Sequence, residues 1–191
     1  MTRKSKIYLA LGDSMSIDRY TGVPGGGAVS QFHSFLGDAW TLDDRACDMC
    51  RMRYVPTNGR GDLITLTIGG NDLLADMDEY LRGGLAGFQR EHLELLSAIR
   101  ERNLNACFIV GNVYAPQTEL TEPLRSVLDE ANAMIQANVK NVDARLADIH
   151  QAFHGNEAEY LCHDIEPSFK GATMISRLFR EAAGMAAIYS T

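Results

Sequence analysis

Apolar positions fall along this chain in two alternating rhythms. Short, nearly continuous apolar runs are closed by glycine, and longer stretches carry apolar residues at three- and four-residue steps. Lys6–Leu11 (KIYLAL) reads as a buried strand. Asp62–Ile68 (DLITLTI), rich in β-branched residues and closed by Gly69-Gly70, reads as a second, and Asn105–Val110, closed by Gly111-Asn112, as a third. Trp40–Ala46 and Glu159–Cys162 are weaker strand candidates. The helical rhythm covers Ala28–Ala39, Tyr80–Arg102, Glu122–Phe153 and Phe169–Ala187. Pro123 suits a first helical turn, where its missing N–H costs nothing, and Ser168 is placed to cap the last helix. Strands that alternate with helices of this length need crossover connections. The pattern therefore predicts a three-layer α/β/α domain spanning residues 1–191, with a parallel sheet of about five strands.

Composition narrows the function. Of 191 residues, 18 are Lys or Arg and 25 are Asp or Glu, so the formal net charge is −7. An acidic balance speaks against a phosphate-backbone partner and against a polybasic membrane contact. No apolar run approaches the roughly 20 residues that span a bilayer. The run Ile7–Leu11 is shorter than a signal-peptide core, so a cytoplasmic protein is expected. In that compartment the four cysteines are expected to be thiols.

In an open parallel sheet, ligands bind outside the carboxyl ends of the strands. Three groups of residues fall there: Gly12-Asp13-Ser14, Gly69-Gly70-Asn71-Asp72, and His163-Asp164-Ile165-Glu166-Pro167-Ser168 before the last helix. Together they hold a hydroxyl, an amide donor, an imidazole and carboxylates, which are the parts acyl transfer requires. Taken singly, each has a plainer role as a helix cap, a turn or a solvated side chain.

These stretches resemble the sequence blocks of the GDSL/SGNH hydrolases, a family of serine esterases and lipases with a flavodoxin-like fold. Tyr8–Ser14 resembles the block that carries the nucleophilic serine, and Leu66–Leu74 the Gly-x-Asn-Asp block whose Asn donates to the oxyanion. Glu166–Gly171 stands where the family has His-Pro-Ser-x-x-Gly. The resemblance implies a Ser14 nucleophile and an Asn71 oxyanion donor flanked by Gly70 and Asp13. It implies no metal, no organic cofactor, and a small-molecule ester or acyl substrate.

The chain departs from the family twice. Where the family reads Asp-x-x-His, this chain reads His163-x-x-Glu166. The stretch Arg45–Arg51, expected to supply an oxyanion N–H from a glycine, holds no glycine, and Met49 or a neighbour stands in its place. A free carboxylate is a weaker proton acceptor than imidazole near neutral pH unless burial raises its pKa. Three arrangements follow. His163 serves as base, with Glu166 and Asp164 in support, and this is the arrangement expected. In the second, Glu166 stands nearest Ser14 with His163 behind it. In the third, hydrolysis is lost and a ligand-binding domain remains.

Other features carry plainer expectations. Cys47-Asp48-Met49-Cys50 is a CxxC, read as two thiols on a turn with a thioredoxin-like redox pair as the rival. His150 and His154 share a helical spacing next to Gly155, as at a fraying helix end. Arg19 and Tyr20 flank the candidate pocket, with Arg19 expected as a solvated side chain. No broad hydrophobic lid is visible, which favours small or soluble esters over long-chain lipids.

Overall fold

A computed structural model describes residues 5–185 of the chain. Five parallel strands form the central sheet: β1 (Lys6–Gly12), β2 (Trp40–Asp44), β3 (Leu63–Thr67), β4 (Cys107–Gly111) and β5 (Arg145–Ala147), in the order β2-β1-β3-β4-β5. The period-two alternation of side chains divides each strand between two helical layers. Leu9 and Leu11 of β1, Ile64 and Leu66 of β3, and Phe108 and Val110 of β4 face one layer. That layer contains α2 (Gly70–Gly83), α3 (Ala86–Arg102) and α4 (Glu122–Asn141). Tyr8, Ala10, Leu63 and Ile109 face the other, where α1 (Ala28–Leu36), α5 (Ile149–Phe153) and α7 (Phe169–Ala182) pack. A short helix α6 (Glu157–Tyr160) leads into a two-stranded antiparallel hairpin, β6 (Leu161–Cys162) and β7 (Glu166–Pro167).

The expected elements are present with three corrections. The stretch 80–102 is not one helix, because Gly83-Gly84 ends α2 with Gly84 at φ 77° and α3 restarts at Ala86. The stretch 122–153 is not one helix either. It breaks after Asn141, Asp143 takes φ 51°, and Arg145–Ala147 becomes the fifth strand. Leu146 and Ile149 continue the apolar spacing across that break, which conceals it in a periodicity reading. Third, Glu159–Cys162 does not join the central sheet: Glu159 and Tyr160 are helical, and Leu161–Cys162 pairs only with Glu166–Pro167. The last helix ends at Ala182, and the expected continuation over residues 186–187 lies outside the described residues. Ser168 caps α7 as expected, its Oγ accepting from the Gly171 N–H at 3.2 Å.

Two buried hydroxyls on β3 connect this core to the sheet's carboxyl edge. Tyr8 Oη and Thr65 Oγ1 are 2.8 Å apart, and Ser16 Oγ and Thr67 Oγ1 are 2.6 Å apart. At the end of β1, Gly12 has φ 128°, and a Cβ there would overlap the Thr67 carbonyl oxygen. Only a glycine lets β1 leave the sheet so close to β3. Gly12→Ala is therefore expected to cost about 3 kcal/mol of stability, from combined strain and overlap. Urea unfolding of the variant against the wild type checks this.

Candidate active site

The exit from β1 is tied down residue by residue. Asp13 N–H donates to the Thr67 carbonyl at 2.9 Å, and Asp13 Oδ1 accepts from Met15 N–H at 3.2 Å. The Asp13 side chain is thereby buried, and Ser14 is left at the carboxyl edge lining a cavity with Gly70 and Asn71. Burial pushes the Asp13 carboxyl up to about 8, with Glu166 and Asp72 adding to the rise and the Met15 N–H opposing it. Glycine again makes the turn after β3, where Gly69 has φ 114° and precedes α2. Asn71 Nδ2 donates to the Cys50 carbonyl at 3.0 Å. A carbonyl only accepts, so this partner fixes which end of the amide is nitrogen. The second N–H of that nitrogen remains for a ligand.

The loop that holds Cys50 also approaches the end of β1. Cys47 N–H donates to the Gly12 carbonyl at 3.0 Å, and Cys50 N–H closes a turn on the Cys47 carbonyl at 3.4 Å. Met49 occupies the third position of that turn with φ 57°, a left-handed conformation usually given to glycine. Its side chain is 77 % exposed, so the turn forms without placing the thioether in the site. Asp48 of the same turn accepts from Arg19 Nη1 at 2.7 Å and from Tyr20 Oη at 2.9 Å. Arg19, expected as a solvated surface cation, is exposed but bound to this turn. Burial and the neighbouring Cys47 push the Cys50 thiol up to about 12, opposite to the shift that activates a redox cysteine. All four cysteines are free.

The third block forms the hairpin between β6 and β7. His163 (φ 49°) and Asp164 (φ 73°) are both left-handed, which reverses the chain and sends their side chains different ways. The exposed His163 ring stands edge-on to Tyr20, with centroids 6.3 Å apart, and makes no hydrogen bond among the described residues. Asp164 Oδ1 accepts from Thr118 N–H at 2.7 Å, and its carbonyl accepts from Gln117 N–H at 2.9 Å. Asp164 is thus engaged with the loop after β4 and makes no contact that would orient His163. Glu166, half-buried, is the acidic group near enough to the Ser14 hydroxyl for that hydroxyl to lower its pKa. That approach is looser than a well-formed hydrogen bond, and Glu166 Oε2 is buried without a partner.

Burial raises the Glu166 pKa above the ordinary carboxylate value, and Asp48 raises it further. The Ser14 hydroxyl, His163 and Arg19 each hold the rise back. Ser14, Asn71, Gly70 and Asp13 thus line one cavity, with Glu166 near the Ser14 hydroxyl, His163 within electrostatic reach of Glu166, and Asp164 turned aside. Sequence reasoning missed the apolar residues that complete the cavity, among them Leu73, Leu74 and Met77 of α2 and Leu124 and Leu128 of α4. One signal was available: Leu74, two residues after the Asn-Asp pair, is 58 % exposed on a helix whose inward face Leu73 already supplies. Among the described residues no group of three or more His, Cys, Asp or Glu side chains could hold a metal ion, and His150 instead stands 3.7 Å from Asp129.

The fold recurs in known structures. A crystal structure from Parabacteroides merdae, described as a GDSL-like lipase, superposes with a TM-score of 0.78 at 14 % identity, covering 96 % of this chain and 97 % of that one. The acetylxylan esterase Axe2 of Geobacillus stearothermophilus gives 0.75 at 16 % identity over 96 % and 97 % of the two chains. The lipase Lip_vut3 from a goat rumen metagenome gives 0.70 at 21 % identity over 93 % and 97 %. No protein-family model and no curated protein matches the sequence. The chain has the α/β fold of the GDSL/SGNH hydrolases, and its structural neighbours are esterases and lipases.

The buried Asp13 has a consequence for stability. Its folded pKa, raised to about 8, lies above the ordinary 3.8, so the folded state holds the proton more tightly. This contribution is fully present below about 3.8 and is lost as pH rises through about 8. Asp13→Asn, which keeps an acceptor for Met15, is expected to flatten the fall in thermal stability between pH 5 and pH 9. Unfolding midpoints of both proteins across that range check it.

Proposed function

We propose that this protein is a serine hydrolase of ester or related acyl bonds, with Ser14 as nucleophile and Glu166 as the group that takes its proton. The observation that carries the proposal is that Glu166 faces the Ser14 hydroxyl beside the half-engaged Asn71 amide. His163, the expected base, stands toward Tyr20 and solvent and lends Glu166 positive potential when protonated.

The chemistry follows from those positions. Ser14 Oγ attacks the acyl carbonyl carbon as its proton passes to a Glu166 carboxylate oxygen. The carbonyl oxygen becomes an oxyanion held by the remaining Asn71 N–H and by the backbone N–H groups of Ser14 and Met49. Collapse of the intermediate breaks the bond to the leaving oxygen, which takes the proton from Glu166. Water then attacks the Ser14 acyl-enzyme while Glu166 accepts its proton, and the acid product leaves as Ser14 recovers its own. A buried carboxylate suits this work better than a solvated one, because its raised pKa makes it a stronger base.

Labelling with an organophosphonate probe, followed by mass spectrometry, tests the assignment. An adduct on Ser14 is expected in the wild type, none in Ser14→Ala, and a rate slowed about 10²–10⁴-fold in Glu166→Gln. His163→Ala is expected to label within about tenfold of the wild type, because its exposed ring makes no hydrogen bond among the described residues. Labelling lost in His163→Ala but kept in Glu166→Gln would transfer the base to His163. A folded wild type that takes no adduct would leave a ligand-binding domain on this fold.

The pH profile follows from the same carboxylate. The base must be ionised, so kcat/KM is expected to rise with pH through an apparent pKa above the ordinary Glu value of 4.5. Arg19→Gln removes a charge that holds this pKa down and is expected to move the acid limb upward. Steady-state kinetics on a soluble ester from pH 4 to pH 9 measures both.

A further inference from the structure

The cavity at Ser14 is lined in a way that ester hydrolysis alone does not require. Its volume is about 110 Å³. Ser14, Gly70 and Asn71 follow β1 and β3, while α4 connects β4 to β5 and so lies farther along the sheet. The cavity thus runs from the reactive serine toward α4. Leu124 and Leu128 of α4 stand on that side, and Leu74 and Met77 of α2, Tyr114 and Ile165 complete the apolar lining.

This apolar lining offers a polar ligand no free side-chain partner. No Lys, Arg, His or Glu lines the cavity, and its single carboxyl, Asp13, lies at the serine end. The Tyr114 hydroxyl is already donated to the Ile165 carbonyl at 2.7 Å, so Tyr114 presents its ring. A sugar hydroxyl or a charged tail placed there would be buried without a partner, at a cost of kilocalories. A methylene placed there gains about 0.8 kcal/mol, or about fourfold in binding.

Resting on the reading of Ser14 as the nucleophile, we propose that this cavity is an acyl-chain pocket for an unbranched apolar acyl group of about five carbons, its length set by Leu124 and Leu128. The size follows by scaling. A dry cavity of about 150 Å³ holds the six carbons of benzene, so about 110 Å³ accommodates roughly four carbons beyond the carbonyl. An acetyl group leaves most of that space empty. The preference therefore differs from that stated for the acetylxylan esterase neighbours.

The test is a series of p-nitrophenyl esters from acetyl to decanoyl, run beside an acetylated xylo-oligosaccharide. In the wild type kcat/KM is expected to climb about fourfold per methylene, or about 60-fold from acetyl to pentanoyl, and to fall beyond hexanoyl. Leu124 is only half-buried, so its replacement spares the core. Leu124→Trp is expected to lower the pentanoyl-to-acetyl ratio about tenfold, and Leu124→Ala to move the maximum to a longer chain. A wild type that prefers acetyl esters, or a maximum that neither variant moves, overturns the pocket while leaving the Ser14 assignment standing. No turnover of any ester together with no phosphonate adduct on Ser14 overturns both.

Discussion

The approach of β1 to β3 at their carboxyl ends is the constraint on which the rest of the site depends. Gly12 sits against the Thr67 carbonyl, Asp13 N–H is bonded to that same oxygen, and Ser16 is bonded to the Thr67 hydroxyl. These contacts leave the chain between residues 13 and 16 one path, and Ser14 is the residue that path presents at the edge. The same glycine carbonyl accepts from Cys47, which brings the Met49 turn and the Cys50 carbonyl alongside. Asn71 is anchored on Cys50 in turn. Ser14 and Asn71 are therefore positioned through one junction of hydrogen bonds to the backbone at the ends of β1 and β3.

That junction is also electrostatically unusual. Glu166 and Asp72 both raise the Asp13 pKa, Asp76 raises that of Asp72 and Asp48 that of Glu166, and burial raises all three. Arg51 offsets Asp72, while Arg19 and His163 act on Glu166 from the rim. Buried carboxyls with few cations among them become neutral before they become paired. In that setting a glutamate holds its proton more tightly than it does in water. Burial raises its pKa above that of a free glutamate, and Asp48 adds to the rise.

The Met49 turn shows how a backbone feature survives the loss of its usual residue. A left-handed residue in a tight turn is normally glycine, and an L side chain there costs of order 1–3 kcal/mol. Here the turn is held by the Cys47 and Cys50 backbone bonds and by Asp48, which binds Arg19 and Tyr20. Those contacts retain the geometry, and the methionine side chain is left in solvent.

The sequence alone determined the layer architecture and the residues at each strand end. Both rest on local regularities, namely the period of apolar residues and the glycines that close the runs. It also marked Ser14 and Asn71, because short motifs directly after strands survive as local patterns. It did not reveal β5, since the apolar spacing continues unbroken through Asp143 into Ile149. Nor did it reveal which of His163, Asp164 and Glu166 faces Ser14. Adjacent residues are indistinguishable as a pattern, and two successive left-handed residues in the hairpin decide where each side chain points. The apolar cavity was equally hidden, because its walls come from α2, α4 and three loops that meet only when the sheet is assembled. The approach of Glu166 to Ser14 and the pocket are thus products of tertiary packing, whereas Ser14 and Asn71 at the strand ends were already written in the chain.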